Sequence, residues 1–369
     1  MAPRGKIRFL LPFGNWNRVE TLLYFYSMAF VPSYIGLQRS GELRRRAGAL
    51  HAMLARCTIC PHDCGNNRLL GEIARCYSGE LPVVSASTPH FGEEPALTGT
   101  GGVGNIFFGN CNLRCVYCQN HLISQNHREE RKNEVSIERL AQMMLELQEK
   151  GCHGIGLVSP THFVPQIVMA LERAAGVGLR LPLIYNTNAY DAVEVLRLLD
   201  GVVDIYLPDL KYGDDAMGRE FSKVDGYALH ARRAVAEMHR QVGGALVKGE
   251  DGLVKRGLII RHLVLPNDIA ASRETLTWIR DTLGADTTLS VMSQYFPTHR
   301  ALTMPLLDRK VRESEYQKVL TILDDLGLGN GWAQEFEASD YYRPEFEDRE
   351  RPFKGSADNE VEQAERGSA

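Results

Sequence analysis

The sequence lacks an apolar run long enough to cross a membrane. Its longest such run, residues 22–31, falls well short of the roughly 20 residues that span a bilayer. A secretory signal would place that run beside a small-residue cleavage site, whereas the polar residues Asn15, Asn17 and Glu20 precede it. The sequence therefore predicts a cytoplasmic protein without a membrane partner.

The sequence also has little net charge. It carries 42 Lys and Arg residues against 46 Asp and Glu residues, for a formal net charge of −4, and its basic clusters at 44–46 and 232–233 are short. Nucleic-acid binding relies on concentrated positive charge, so the sequence predicts no nucleic-acid partner. With 369 residues, of which 44% are hydrophobic, the chain can bury one large core or two ordinary ones.

Cysteine is not scarce, and it is grouped. Seven of the eight cysteines fall into two tight groups. In a reducing compartment this usage indicates metal or redox chemistry rather than a disulfide framework. The upstream group is Cys57, Cys60, Cys64 and Cys76, and the downstream group is Cys111, Cys115 and Cys118.

Short apolar runs alternate with amphipathic helical patterns over residues 101–330. Six runs predict strands, near Ile106, Ile155, Leu183, Val203, Ile260 and Leu289. The helical patterns cover residues 136–151, 163–175, 191–199, 227–242, 273–283 and 313–326; in the first of these Ser136 is the expected N-cap and Gly151 the expected end. Strands separated by single helices form right-handed βαβ units and a parallel sheet.

Polar clusters follow nearly every predicted strand. Active sites of α/β barrels lie at the carboxyl ends of the strands, so this repetition favours a partial (β/α)6 TIM-like barrel over an open doubly wound sheet. The first strand enters the downstream cysteine group. The other predicted site residues at the barrel mouth are Ser159, Thr161, His162, Asn186, Asn188, Asp209, Lys211, His262 and Gln294.

The downstream group has the spacing C-x3-C-x2-C. A structural zinc site is usually closed by four protein ligands, so three cysteines fit zinc only if a residue such as His121 or His127 completes the set. Iron–sulfur clusters take one thiolate per iron, so three cysteines around four irons leave one iron open to an outside ligand.

These residues carry a family resemblance. With Tyr117 before the last cysteine, in the loop after the first barrel strand, the motif resembles that of the radical S-adenosylmethionine (radical SAM) superfamily. The segments "GTGGVGNIFFGNCNLRCVYCQN", "LVSPTHFVPQI", "DIYLPDLKY" and "IIRHLVLPN" resemble uncharacterised radical SAM proteins related to pyruvate formate-lyase activating enzymes. The resemblance extends from about residue 32 to about residue 316.

The resemblance implies a [4Fe–4S] cluster on Cys111, Cys115 and Cys118, with S-adenosylmethionine on the open iron. Reductive cleavage would yield a 5′-deoxyadenosyl radical that abstracts hydrogen from a substrate.

The resemblance also assigns roles to neighbouring residues. Tyr117 matches the aromatic residue whose surroundings receive the adenine. Asp209 and Lys211 match a D-x-K motif at the methionine end of the cofactor, where a lysine suits a carboxylate. The family's Gly-Gly-Glu after the second strand is replaced by residues 159–162, so either Thr161 and His162 contact the cofactor's amino group or the pose differs.

The upstream cysteines have the spacing C-x2-C-x3-C-x11-C. Four cysteines with Pro and Gly between them can close a tetrahedral zinc site or hold an auxiliary iron–sulfur cluster. The sequence predicts a second metal here and does not separate the two. Zinc would only staple the segment, whereas a cluster could relay electrons or anchor substrate.

The sequence predicts four segments: an N-terminal helical extension (1–56), a Cys-rich metal-binding segment (57–100), the partial barrel (101–330), and a C-terminal extension with a mobile tail (331–369). The predicted function is a radical SAM oxidoreductase, activase-like, with an electron donor such as flavodoxin or ferredoxin. Its substrate is open, with a glycyl residue of a partner protein as one candidate. The rival interpretation is a non-catalytic iron–sulfur or zinc protein, an electron carrier or binding module on the same barrel, which the missing Gly-Gly-Glu favours.

Overall fold

The computed structural model describes residues 8–10 and 30–336, together with residues 346, 349 and 352. Most of the first 29 residues of the predicted N-terminal extension, and most of the predicted tail, lie outside the described residues. The described strands are β1 (Arg8–Leu10), β2 (Val84–His90), β3 (Val103–Phe108), β4 (Ile155–Val158), β5 (Leu183–Thr187), β6 (Ile205–Pro208), β7 (Val247–Lys248), β8 (Val254–Leu263), β9 (Thr288–Met292) and β10 (Gly331–Ala333).

The helices include all six that the sequence predicts within the barrel, with small shifts at their ends. They are α1 (Tyr34–Arg39), α2 (Glu42–Ala52), α3 (Pro95–Thr98), α4 (His121–Ser124), α5 (His127–Glu130), α6 (Ile137–Glu149), α7 (Val164–Gly176), α8 (Val193–Leu198), α9 (Asp215–Ser222), α10 (Tyr227–Val242), α11 (Ser272–Leu283) and α12 (Glu313–Leu326). Ser136 caps α6 as predicted, because its side chain accepts a hydrogen bond from the Arg139 N–H. Gly151 follows that helix with a φ of 81°.

The strand order identifies the sheet as a barrel type. Along the sheet the order is β1-β10-β9-β8-β6-β5-β4-β3-β2, with β7 paired to β8. Neighbours from β3 to β10 are parallel, whereas β2 and β1 pair antiparallel at the two edges. The parallel strands follow in chain order without the reversal that defines a doubly wound sheet, so the sheet curls around one interior. The predicted partial α/β barrel is confirmed.

The alternation of strand residues separates an outer core from an inner one. Leu258 and Ile260 of β8 belong to the large cluster that the helices cover. Ile259, between them, belongs to a smaller cluster with Val103 of β3 and Ile184 of β5. In the middle of β8, Ile259 therefore faces the barrel interior, where the mouth of the site lies, and its two neighbours face the helices.

Three of the elements that the sequence did not predict bear on the site or on the sheet around it. Strand β2 forms within the segment predicted only as a Cys-rich metal-binding segment, and it pairs with β3. Strand β10 extends the parallel order beyond β9. Helix α9, which follows β6, ends at Ser222. In the described part of the chain, no helix combines the length and apolarity that a membrane crossing would need.

A buried carboxylate attaches the N-terminal helices to the barrel. The Asp204 side chain is fully buried at the start of β6. It accepts hydrogen bonds from the backbone N–H groups of Ser33 (2.8 Å) and Leu183 (3.0 Å). Burial raises the pKa of Asp204 to about 6 in spite of these donors. The folded protein therefore binds a proton at this site more tightly than the unfolded chain does.

We expect Asp204→Asn to change how stability depends on pH. A carboxyl group whose pKa is raised on folding stabilises the folded state at pH values below its pKa in the unfolded chain, 3.8. This contribution is lost as the pH rises through about 6, the pKa in the folded protein. The free energy of unfolding of the wild type, relative to that of the variant, should therefore decrease by roughly 3 kcal/mol between pH 4 and pH 7. Urea unfolding at pH 4, 5.5 and 7 measures the difference, and equal pH slopes in the two proteins would contradict it.

Candidate metal and cofactor site

The downstream cysteines lie in a loop that follows β3 and is held by backbone hydrogen bonds. The Asn110 N–H donates to the Ile123 carbonyl of α4 (2.8 Å), and the Val116 N–H donates to the Phe221 carbonyl of α9 (2.8 Å). Gly109 begins the loop where a Cβ atom would lie 2.6 Å from the Val83 side chain, so a larger residue would not fit without movement. The loop is therefore fixed at both sides.

Each of the three thiols has a polar neighbour. Asn188 Nδ2 donates to Cys111 Sγ (3.5 Å). The Ser222 hydroxyl lies 2.9 Å from Cys115 Sγ, and the Ser124 hydroxyl lies 3.2 Å from Cys118 Sγ. The Leu113 N–H also donates to Cys111 Sγ (3.4 Å). Hydrogen bonds to cysteine sulfur are one means by which proteins tune iron–sulfur clusters.

Charge and burial act in opposite directions on these thiols. Burial raises the pKa of Cys111 and of Cys115 to about 11, and it also raises the pKa of Cys118. The Lys211 ammonium lowers all three values, because a cation stabilises the thiolates. Metal binding must displace the thiol protons, so Lys211 favours the ligating form.

The donor set fits a cluster better than a single ion. Among the described residues, no three His, Cys, Asp or Glu side chains are gathered around one ion position. In a four-iron cluster each thiolate binds a different iron, so the sulfur atoms stand further apart than around zinc. His121 lies stacked on His299, with ring centroids 4.8 Å apart, and its Nδ1 lies 3.2 Å from the Cys118 carbonyl oxygen. His127 is stacked on Tyr77. Neither histidine forms a single-ion site with the three cysteines in the described residues.

Asp209 and Lys211 form a pair beside the loop. Lys211 Nζ lies 2.8 Å from Asp209 Oδ2, and the two side chains are only 15% and 26% exposed. Burial alone would lower the pKa of Lys211, but the charges of Asp209 and Cys115 outweigh it and the net shift is upward. The Tyr227 hydroxyl accepts from the Lys211 backbone N–H (2.9 Å) and lies 2.9 Å from the Asp209 and Asn188 carbonyl oxygens. Tyr227 thus fixes this segment against β5.

Tyr117 belongs to a hydrogen-bonded chain that reaches a thiol. Its hydroxyl donates to the Tyr212 hydroxyl (2.7 Å), which lies 2.7 Å from the Ser222 hydroxyl. Ser222 in turn contacts Cys115 Sγ. The Tyr117 ring is buried and packs edge-on against Tyr295, with centroids 5.9 Å apart. Sequence reasoning missed Ser222, because its place beside Cys115 depends on where α9 ends in space.

The residues after β4 are packed into the barrel wall. Ser159 has a φ of 57°, and its N–H donates to the Asn186 carbonyl (2.9 Å). The Thr161 hydroxyl lies 3.1 Å from that of Thr187. His162 Nε2 lies 2.9 Å from the Gly109 carbonyl oxygen, and burial lowers the pKa of His162 to about 3, so the ring is neutral. His162 therefore supports the start of the cysteine loop.

Of the remaining predicted site residues, Asn186 and Gln294 lie near the ends of their strands, whereas His262 faces outward. Asn186 is partly exposed and aligns with Val158 and Leu207 on the inner face. Gln294 Oε1 accepts from Gln334 Nε2 (2.9 Å) at the end of β9. His262 is not brought to the mouth, because its position in β8 faces outward. Its ring nitrogens lie 2.8 Å from the Leu210 carbonyl oxygen and 2.9 Å from the Ser272 hydroxyl.

An interior charge cluster was missed by sequence reasoning. Arg261, which precedes His262 and faces inward, forms ion pairs with Glu93 and with Glu94. Asn105 Nδ2 donates to Glu93 Oε1 (2.9 Å). Gly156 makes room for that amide, since a Cβ there would lie 2.0 Å from Asn105 Oδ1. The alternation of side chains along β8 was the available signal for Arg261.

The four upstream cysteines are also brought together. Cys57, Cys60, Cys64 and Cys76 line one pocket. Burial raises the pKa of Cys60, and the charges of the other three add to the shift, which places all four sulfur atoms in one neighbourhood. All eight cysteines of the chain are free thiols in the structure.

Two comparisons with known proteins bear on the family of this chain. The family model of the radical SAM superfamily matches residues 105–245, which include the three-cysteine loop. The uncharacterized protein MJ0674 of Methanocaldococcus jannaschii is 30% identical over 279 residues, which are 74% of this chain and 75% of that protein.

Solved structures of radical SAM enzymes are more distant. A radical SAM methyltransferase from Sphaerobacter thermophilus is 12% identical, with 64% of this chain and 68% of that chain covered and a TM-score of 0.41. Methylornithine synthase (PylB) is 13% identical, with 90% and 92% covered and the same TM-score. Neither likeness bears on the substrate of this chain. With the family model on the cysteine loop, and a curated relative that is 30% identical and three-quarters covered, the chain belongs to the radical SAM superfamily.

Proposed function

We propose that this protein is a cytoplasmic radical SAM oxidoreductase that abstracts hydrogen from a substrate at the barrel mouth. A [4Fe–4S] cluster on Cys111, Cys115 and Cys118, with S-adenosylmethionine on its open iron, would supply the 5′-deoxyadenosyl radical when both are bound. The observation that carries the proposal is the loop itself. Its three thiols each have a polar neighbour, and Lys211 stabilises all three thiolates.

The residues around the loop are suited to hold the cofactor. Lys211 presents a buried positive charge for the cofactor's carboxylate, and Asp209 fixes the position of that charge at 2.8 Å. Asn188 links Cys111 to the end of β5. In this proposal Tyr117 packs beneath the adenine. The Thr161 hydroxyl, which is oriented by its contact with the Thr187 hydroxyl, contacts the cofactor's amino group.

We propose a polypeptide substrate, as in glycyl-radical activating enzymes. The support comes from two described residues near the C-terminus, Phe346 and Arg349, which contact residues near the cysteine loop. Phe346 is buried against Phe107 and packs in a cluster with Val158 and Ile123. Arg349 forms an ion pair with the fully buried Glu130 at 2.6 Å. This surface is therefore suited to accept an aromatic and a basic side chain of a polypeptide.

The proposal includes two further components. A low-potential carrier such as flavodoxin or ferredoxin would supply the electron that the reaction consumes. A second metal at the four upstream cysteines is supported by the single pocket that they line.

Anaerobic reconstitution tests the proposed activity. The protein would be loaded with iron and sulfide, reduced with dithionite and incubated with S-adenosylmethionine, and 5′-deoxyadenosine would be quantified. We expect one methionine for each deoxyadenosine. A cluster that is intact, reduced and bound to S-adenosylmethionine, yet yields no deoxyadenosine with or without candidate polypeptides, would overturn the proposal.

We expect Ser222→Ala to lower the reduction potential of the cluster. A hydrogen bond to a ligating sulfur stabilises the more negative reduced state, so its loss favours the oxidised state. A loss of about 1 kcal/mol corresponds to a decrease of roughly 40 mV for one electron. Redox titration followed by electron paramagnetic resonance measures the shift. Ser272→Ala, which removes a buried hydroxyl that contacts His262 instead, should leave the potential unchanged.

A further inference from the structure

The upstream cysteines line a pocket that the chain has shaped around them. Arg68 and His162 also line it. The Cys57 N–H donates to the Asn66 carbonyl (2.9 Å), and the Gly65 N–H donates back to the Cys57 carbonyl (3.0 Å). These bonds close the segment into a compact turn, so the thiols are gathered by the backbone.

A buried ring nitrogen lacks a partner beside the same pocket. His162 is 1% exposed, and its Nε2 lies 2.9 Å from the Gly109 carbonyl oxygen, whereas its Nδ1 has no hydrogen-bond partner. Since Nε2 must donate to a carbonyl, Nδ1 keeps a free lone pair. Unpaired buried nitrogens are rare and point to something that the polypeptide alone does not supply.

Two observations decide between one ion and a cluster. Among the described residues, neither cysteine group is gathered around a position for a single metal ion. The upstream spacing C-x2-C-x3-C repeats the two downstream intervals in reverse order and adds Cys76. Four thiolates supply one ligand for each of four irons, so no iron is left open.

We infer that Cys57, Cys60, Cys64 and Cys76 hold a second, fully ligated iron–sulfur cluster, which has no open iron for S-adenosylmethionine. The inference rests on the proposed function in one respect: the downstream cysteines are taken to hold the cluster that binds S-adenosylmethionine. Cys64 is exposed and Cys76 partly exposed, so the second cluster lies at the protein surface.

The second cluster lies directly against the loop of the first. His62 Nε2 lies 2.7 Å from the carbonyl oxygen of Asn112, which adjoins Cys111 in sequence. The Arg114 guanidinium donates to the Arg75 carbonyl (2.9 Å). The pocket therefore lies between solvent and the downstream loop. It is on the side from which an electron could reach that loop.

The test removes the first cluster and asks whether iron remains. The full chain with Cys111→Ala, Cys115→Ala and Cys118→Ala is reconstituted anaerobically with iron and sulfide in the presence of equimolar zinc, and then desalted. We expect about four irons and four sulfides per chain, against about eight of each in the wild type. After dithionite reduction, the paramagnetic signal of this variant should be insensitive to S-adenosylmethionine.

Every outcome is decisive. A triple variant that is folded by circular dichroism yet holds no iron, or holds one zinc per chain, overturns the inference and leaves the proposed function intact. A triple variant with about four irons, beside a wild type that cleaves no S-adenosylmethionine, supports the inference and overturns the function. Cys60→Ala with Cys64→Ala should lose the insensitive signal, and Cys152→Ala, outside both groups, should keep both signals.

Discussion

We expect Cys118→Ala to abolish the formation of 5′-deoxyadenosine from S-adenosylmethionine. A cluster that has lost one of its three thiolates is not held in place, and no other thiol in the described chain lies at this loop to replace it. The loss should exceed the roughly 10- to 100-fold effect that is typical of groups that only orient a ligand. Liquid chromatography of anaerobic reactions measures the product, and metal analysis should show about four irons fewer per chain.

Cys152→Ala is the matched control for this result. Cys152 is buried, as Cys111 and Cys115 are, but it lies before β4 and belongs to neither cysteine group. Removing its thiol should cost about 1 kcal/mol of stability and leave the iron content unchanged. If Cys118→Ala retained both its iron and its product, the downstream loop would not be the site of reductive cleavage.

The strands of the barrel were predictable because each carries its own signal. Near-continuous apolar runs predict buried parallel strands, and the runs near Ile155 and Leu183 became β4 and β5. Strand β2 was missed, since it includes Ser85, Ser87, Thr88 and Pro89 and is stabilised by pairing with β3. Its stability depends on a partner distant in sequence, which a local pattern does not show.

The site was predictable where chemistry is local and unpredictable where it depends on orientation. The cysteine spacing in residues 111–118 identified the loop directly. In β8, sequence reasoning chose His262 for its chemistry, but the alternation of the strand places Arg261 inside. A shift of one residue reverses the face, so composition alone does not decide such a case.

We expect Lys211→Gln to weaken the binding of S-adenosylmethionine by about 10- to 100-fold. A hydrogen bond between a buried ammonium and a carboxylate contributes roughly 1.5–3 kcal/mol, which equals that factor. The substitution also leaves the Asp209 carboxylate without its cation, in a place where its side chain is only 26% exposed. The folded state should therefore lose stability as well, and the two effects must be separated. Equilibrium dialysis against labelled S-adenosylmethionine, on reconstituted protein, measures the affinity.

The double variant with Asp209→Asn and Lys211→Gln makes that separation. It removes both charges, so the unpaired carboxylate disappears and most of the lost stability should return. The affinity for S-adenosylmethionine should stay low, because the cation that faces the cofactor is still absent. Lys211→Arg should recover part of the affinity, since the charge is kept while its shape changes. If the double variant bound S-adenosylmethionine as tightly as the wild type, Lys211 would serve only to neutralise Asp209, and another group would have to hold the cofactor's carboxylate.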